Sequence, residues 1–73
     1  MKLNEKAKAW RLRRNLTHAQ LSELTGYSVP AIYALERGTR NAGETHSEWT
    51  WHRYQMACSG AERQLKSGRA FEW

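Results

Sequence analysis

The stretch from Thr17 to Gly38 constrains the fold of this chain most strongly, because it carries two sets of helix start and stop signals. Thr17 is a favourable N-cap residue, and Gln20 three positions later completes the pattern of a capping box. Gly26 follows the last apolar residue of this segment, where a left-handed backbone conformation is usually needed. The pattern predicts a short helix that ends at a tight turn.

The second set of signals begins at Ser28 and ends at Gly38. Ser28 is suited to the N-cap position, and Pro30 falls in the first turn, where its missing N–H costs nothing. Ile32 and Leu35 form an apolar stripe at helical spacing, and Gly38 is a stop signal. Two short helices joined by such a turn are the plan of a helix-turn-helix motif.

Another helix is predicted upstream of this motif, within the first fifteen residues. Leu3, Ala7 and Trp10 recur at helical spacing and therefore share one face. Asn4 is a candidate N-cap residue for this helix. Basic side chains lie largely around the other faces, which leaves the apolar face to pack against the motif.

The segment 47–73 is predicted to form a fourth helix followed by a dimerisation or tail segment, with Gly68 as the helix breaker. Apolar residues recur along the helix at steps of three and four, and the tail adds two aromatic residues. We expect one side of the segment to close the core and the other to meet a second subunit, although packing into the core alone and a tail folded back on its own domain are open alternatives. The predicted interface residues are Trp51, Tyr54, Cys58, Phe71 and Trp73.

The length and the charge distribution limit the fold and the partner. A chain of 73 residues is predicted to be a single domain, residues 1–73, with an all-α fold: a small bundle of four to five helices containing the helix-turn-helix. Such a domain buries a modest core, to which a second copy would add. The whole net charge of +5 lies in residues 1–40, whereas residues 41–73 are balanced. This asymmetry favours a polyanionic partner.

Several other functions find no support in the sequence. One cysteine excludes an internal disulfide and suits a reducing cytoplasm, and neither a membrane span nor a signal peptide is recognisable. No metal, cofactor or enzymatic activity is predicted, because the histidines and the cysteine lack standard ligand spacing and no nucleophile motif is present. The candidate zinc ligands by residue type are His18, His46, His52 and Cys58.

Position by position, the chain resembles the phage-repressor-like family (Cro/C1, or XRE) of helix-turn-helix DNA-binding domains over roughly residues 3–58. The resemblance implies that the domain binds double-stranded DNA through the second helix of the motif. It also implies an ion pair between Arg11 and Glu36 that ties the first helix to this recognition helix. The matching residues are Arg11, Leu16, Thr17, Ala19, Leu21, Gly26, Ile32, Leu35, Glu36, Arg37 and Gly38.

The resemblance further implies which residues contact base edges in the major groove. Three of them are apolar, so we expect sparse direct readout through thymine methyl groups and the Tyr33 hydroxyl, with DNA shape contributing more. The predicted base-contacting residues are Ser28, Val29, Pro30, Tyr33, Ala34 and Arg37.

Phosphate contacts are predicted at two places. Thr17, His18 and Gln20 begin the first helix of the motif, where free backbone N–H groups favour phosphate. Arg40 and Asn41 lie in a polar loop that follows the recognition helix. Alternatively, Thr17 and Gln20 serve only as caps, and Asn41 is solvated surface.

These features together predict a DNA-binding transcriptional regulator, expected to act as a repressor, including of its own promoter, in a phage or bacterium. The expected form is a homodimer on a palindromic operator, located in the cytoplasm with the nucleoid. The alternative is a protein-interaction module, such as an antitoxin that neutralises a partner through the Trp-rich C-terminal half. Steep salt dependence of binding would favour DNA, and weak salt dependence would favour a protein partner.

Overall fold

The computed structural model describes residues 2–38, 46–66, 68 and 71–73. These ranges contain four α-helices and no strand, which confirms the predicted all-α fold. No helix of the described ranges is long and apolar enough to span a membrane. The helices are α1 (Leu3–Arg13), α2 (His18–Thr25), α3 (Val29–Arg37) and α4 (Glu48–Leu65).

The ends of α2 follow from the capping signals in the sequence. The Thr17 hydroxyl accepts a hydrogen bond from the Gln20 backbone N–H at 3.1 Å, and the Gln20 side-chain carbonyl accepts one from the Thr17 N–H at 2.9 Å. This is a complete capping box, and it satisfies two N–H groups that a helix start otherwise leaves unpaired. Gly26 ends α2 in the left-handed region with φ +80°.

Similar local signals fix α3. The Ser28 hydroxyl accepts a hydrogen bond from the Ala31 N–H, and Pro30 lies in the first turn. The helix ends at Gly38, whose φ is +88°. The left-handed backbone favours glycine here, and a Cβ atom at Gly38 would lie 3.1 Å from the Asn4 side chain, which would have to shift slightly to make room.

The start of α1 differs from the prediction. The N-cap residue is Lys2, without a side-chain cap, so the assignment of Asn4 as the cap was wrong. The Asn4 side-chain amide instead donates a hydrogen bond to the Glu36 backbone carbonyl at 3.2 Å. Asn4 therefore joins α1 to the end of α3, and this long-range contact outweighs its local capping preference. Ala7 and Trp10 are buried as predicted, but Leu3 is 43 % exposed.

All four helices contribute to one core around Trp10, which is fully buried. The Trp10 indole N–H donates to the Glu62 carboxylate at 3.3 Å, and Arg14 donates to the same carboxylate at 2.7 Å. Glu62 is 3 % exposed. Its two hydrogen bonds connect α4 to the end of α1. The remaining buried hydrophobic residues are Ala7, Leu16, Leu21, Ile32, Leu35, Tyr54, Cys58 and Ala61.

Two of the predicted subunit-interface residues are part of this core. Tyr54 is 1 % exposed and Cys58 is fully buried, so neither side chain is accessible to a second copy, and their assignment to the interface was wrong. The stripe that they form on α4 packs against the chain's own core. Heptad-like spacing identifies a buried helix face but does not say which neighbour buries it.

The tail folds back on its own domain. Phe71 packs edge-on against Trp10 at 5.6 Å between ring centroids, and Trp73 packs against Tyr54 at 5.6 Å and against Trp51 at 6.2 Å. Trp51, Phe71 and Trp73 remain partly exposed while they pack on the core. Of the two alternatives for the tail, the described residues show packing on its own domain, and contact of Phe71 and Trp73 with a partner stays a prediction.

Candidate nucleic-acid interface

The helix α3 has one face anchored in the core and the opposite face directed to solvent. Ile32 and Leu35 are buried, whereas the neighbouring Tyr33 is 53 % exposed. The helix therefore presents side chains outward from a rigid base. Of the six residues predicted to contact bases, Ser28, Pro30, Tyr33 and Arg37 are exposed, and Val29 and Ala34 are half-buried.

An ion pair between Arg11 and Glu36 holds α3 against α1. The guanidinium donates from Nε to Glu36 Oε2 at 2.7 Å and from Nη2 to Oε1 at 3.1 Å. A third donor, Nη1, reaches the Leu16 carbonyl oxygen at 2.8 Å. The two side chains are 8 % and 7 % exposed. Such a bidentate, nearly buried pair fixes the orientation of both helices, because its geometry tolerates little displacement.

His18 connects α2 to α3. Its ring stacks on the Tyr33 ring with centroids 4.0 Å apart and an interplanar angle of 22°. Its Nε2 atom lies 3.2 Å from Glu36 Oε1. His18 thus supports the exposed aromatic residue of α3, a contact for which the sequence contained no signal.

A shallow cleft of about 320 Å³ opens beside this stack, between α1 and α3. Its electrostatics are set by cations, because Arg11 neutralises the Glu36 carboxylate while Lys8 and Arg37 also line the cleft. The cleft therefore combines positive charge with the exposed Tyr33 ring on one surface. The lining residues are Lys8, Arg11, His18, Tyr33, Glu36 and Arg37.

A sequence model described as helix-turn-helix matches residues 8–46, more than half of the chain. The chain belongs to the helix-turn-helix family of the Cro/C1 (XRE) type. The matched range contains α2 and α3 with the turn between them, which confirms the family expected from the sequence. Membership places the chain among DNA-binding transcription regulators. No curated protein and no solved structure gives a significant match.

At the start of the helix-turn-helix, the predicted phosphate contacts have intramolecular partners. Thr17 and Gln20 cap each other, and His18 contacts Glu36. In the capping box both side-chain oxygens act as acceptors, so the Thr17 hydroxyl proton and the Gln20 amide protons are still available to a phosphate oxygen. Arg40 and Asn41 lie outside the described residues.

The described residues were predicted to hold neither a metal site nor a nucleophile, and two observations concern these chemistries. They contain no group of three metal-ligating side chains. Burial raises the pKa of the Cys58 thiol to about 12, so the thiol stays protonated at neutral pH. The family match concerns DNA binding and regulation rather than catalysis.

Proposed function

We propose that this protein is a transcriptional repressor that binds a palindromic operator as a homodimer, with α3 of each copy in the major groove. The observation that carries the proposal is the two-sided character of α3. Its inner face is buried, and its end is fixed by the Arg11–Glu36 pair, while Tyr33 and its exposed neighbours face outward. A helix that contacts base edges in the major groove needs a fixed orientation and an outer face that is open to solvent before DNA binds.

The chemistry of the outer face favours a particular mode of readout. Tyr33 offers one hydroxyl for a base edge, and Arg37 can donate to guanine or to phosphate. Val29 and Pro30 offer only apolar atoms, which suit the thymine methyl group. We infer that the operator contains A·T pairs opposite the start of α3 and that DNA shape supplies much of the discrimination.

The charge distribution supports DNA as the partner and repression as the mechanism. Residues 1–40 carry the whole net charge of +5, and Lys8 and Arg37 line the cleft beside Tyr33. Thr17, His18 and Gln20 are proposed to meet phosphates at the start of α2, with Arg40 and Asn41 as further candidates. A small domain bound over a promoter represses by excluding polymerase, and its own promoter is a candidate target.

A protein-interaction role such as that of an antitoxin receives less support from the tail. Phe71 and Trp73, which the tail would offer to a partner, pack on the rings of Trp10 and Tyr54 in the same domain. A partner at this place would have to displace an existing aromatic cluster.

The proposal is tested by selection from a random DNA pool at two salt concentrations. We expect a palindromic sequence to be enriched, two chains to bind per palindrome, and the affinity to fall steeply with salt. A transcription assay in vitro with that sequence placed over a promoter should show repression. Enrichment of no sequence, or binding of one chain to an asymmetric site, would overturn the proposal.

Substitution of Tyr33 tests the assignment of the outer face. Tyr33→Ala should lower the affinity for the selected DNA sequence by about 5- to 150-fold, as expected for about 1–3 kcal/mol per base contact. It should lower the affinity for unrelated DNA less. Tyr33→Phe keeps the ring on His18 and loses only the hydroxyl. Leu12→Ala is the control, because Leu12 is 55 % exposed on α1 and is not one of the residues that line the cleft beside Tyr33. Equal losses on selected and unrelated DNA would show that Tyr33 does not read sequence.

A further inference from the structure

We propose that two copies of this chain pair through antiparallel α4 helices, using a surface we call the α4 outer face. It consists of Trp49, Met56 and Gly60, with Glu48 and Arg63 at its two ends. The inference rests on the proposed homodimer and specifies which surface forms it. It replaces the interface predicted from the sequence, of which Tyr54 and Cys58 are buried.

The α4 outer face carries two large apolar side chains, beside the exposed His52 and Arg53, where a helix of a monomer would be polar throughout. The His52 ring stacks on Trp49 with ring centroids 6.0 Å apart. Trp49 is 68 % exposed and Met56 is 64 % exposed, the two largest values among the exposed large hydrophobic residues of the described chain. Successive residues of an α-helix are rotated by about 100°, so these two side chains share one direction. That direction is opposite to the core stripe containing Tyr54 and Cys58. Two large apolar side chains aligned away from the core indicate a contact surface.

Gly60 provides space on the same face. A Cβ atom placed at Gly60 would meet nothing within 4 Å, so no contact inside the chain requires glycine there. Its backbone is helical, so no left-handed conformation requires glycine either. Glycine in a helix interior is less favourable than alanine by about 1 kcal/mol. Close approach of a large side chain from a second copy accounts for glycine at this position.

The charges at the ends of α4 favour an antiparallel arrangement. Glu48 lies in the first turn and Arg63 in the last, about 22 Å apart along the helix. Within the described part of the chain neither residue forms an ion pair. Both lie on the same flank of the outer face, because their helical positions differ by only about 60°.

A twofold axis that crosses α4 near Met56 makes these features complementary. It brings Glu48 to Arg63 of the partner subunit at both ends, places Trp49 against Gly60 of the partner subunit, and sets the two Met56 side chains together. Such a surface is self-complementary, as an isologous interface must be. A parallel pairing would instead place Glu48 against its own copy.

The size of the α4 outer face limits the affinity expected between two copies of the chain. One helix of 18 residues is about 27 Å long, and a single helix pair buries less than the standard interface of about 1,600 Å². The free dimer is therefore weak, with a dissociation constant in the micromolar range or above, and binding to a palindrome completes its assembly.

The test is sedimentation equilibrium of the full chain without DNA, over micromolar to millimolar concentrations. Glu48→Arg and Arg63→Glu should each weaken self-association by about three- to tenfold, because each reversal turns an attraction into a repulsion at both ends of the interface. The variant with both substitutions restores the pairing and should recover the wild-type constant within about twofold. This recovery depends on the antiparallel contact and does not follow from a change in folding.

Met56→Glu is a second probe, since it places a carboxylate at the centre of the proposed contact and should remove detectable self-association. Leu12→Glu is the matched control, because Leu12 is also strongly exposed but lies on α1, and it should leave the constant unchanged. Circular dichroism verifies that both variants fold.

The outcomes separate this inference from the proposed function. If Met56→Glu leaves self-association intact, or the double reversal fails to recover it, the α4 outer face is not the interface, even where two chains still bind one palindrome. If the wild type stays monomeric and binds DNA only as one chain per site, the homodimer itself is refuted. Binding of a different protein at Trp49 by a chain that stays monomeric would also overturn the inference.

Discussion

Loss of either partner of the Arg11–Glu36 pair should destabilise the domain severely. The side chains are 8 % and 7 % exposed, so solvent screens the pair little. Glu36→Gln leaves the buried Arg11 guanidinium without its counter-charge, although it still donates a hydrogen bond to the Leu16 carbonyl oxygen. Arg11→Met leaves the Glu36 carboxylate buried without the Arg11 guanidinium. Removing one member of a buried pair costs about 3–5 kcal/mol, because the other charge stays in a poorly solvated place.

This loss is large relative to the stability of so small a domain. Folded chains are stable by roughly 0.05–0.15 kcal/mol per residue, which gives about 4–11 kcal/mol for this length. Each single variant should therefore lower the melting temperature by on the order of 20 °C or unfold the domain. The double variant Arg11→Met/Glu36→Leu removes both charges and should lose only about 1–3 kcal/mol, because an apolar pair replaces the ionic one and the main remaining cost is the buried Leu16 carbonyl oxygen, which loses its donor.

Urea denaturation followed by circular dichroism measures these differences in the free energy of unfolding. The comparison requires that the slope of this free energy against urea concentration is the same for the wild type and the variants. Glu23→Gln is the control, because Glu23 is exposed on α2, and it should change the free energy of unfolding by less than about 0.5 kcal/mol. If the single variants each cost less than about 1 kcal/mol and their effects simply add in the double variant, the pair behaves as two solvated charges and the reasoning fails.

Three further predictions concern local features of the fold. Gly26→Ala should destabilise the domain by about 1–2 kcal/mol because φ at this position is +80°, whereas Gly60→Ala should stabilise it by about 0.5–1 kcal/mol; thermal melts of dilute protein distinguish the two signs. Thr17→Ala removes half of a capping box and should cost about 1 kcal/mol in urea denaturation. The Cys58 thiol should resist iodoacetamide at pH 8.5 in the folded protein, as mass spectrometry can show, because burial raises its pKa from 9.0 to about 12. For the same reason the free energy of unfolding should fall as the pH rises above about 9, since the unfolded chain then binds fewer protons than the folded one.

Local sequence signals were sufficient to predict the helix-turn-helix. These signals act over three or four residues, so they can be recognised without knowledge of the fold. They are the capping box of Thr17 and Gln20, the Ser28 cap and the stop at Gly38. The contact of Arg11 with Glu36 spans 25 residues and was available only through the family resemblance.

Contacts between distant segments account for what the sequence did not reveal. Asn4 has a good capping side chain, yet it bonds to the end of α3, 32 positions away. From the sequence Glu62 would be expected on the surface, but it is 3 % exposed and accepts hydrogen bonds from Arg14 and Trp10. The position of His18 on the Tyr33 ring depends on the angle between α2 and α3, which no spacing rule encodes.

The packing of the tail has a consequence for the order of events during protein synthesis. Trp10 leaves the ribosome before Phe71, whose ring packs against it, and before Glu62, whose carboxylate accepts its N–H. A nascent chain that has produced only α1, α2 and α3 therefore exposes the largest side chain of its core. The helices of the helix-turn-helix are made before the segment that completes their core, so a partly synthesised chain is not expected to hold them rigidly.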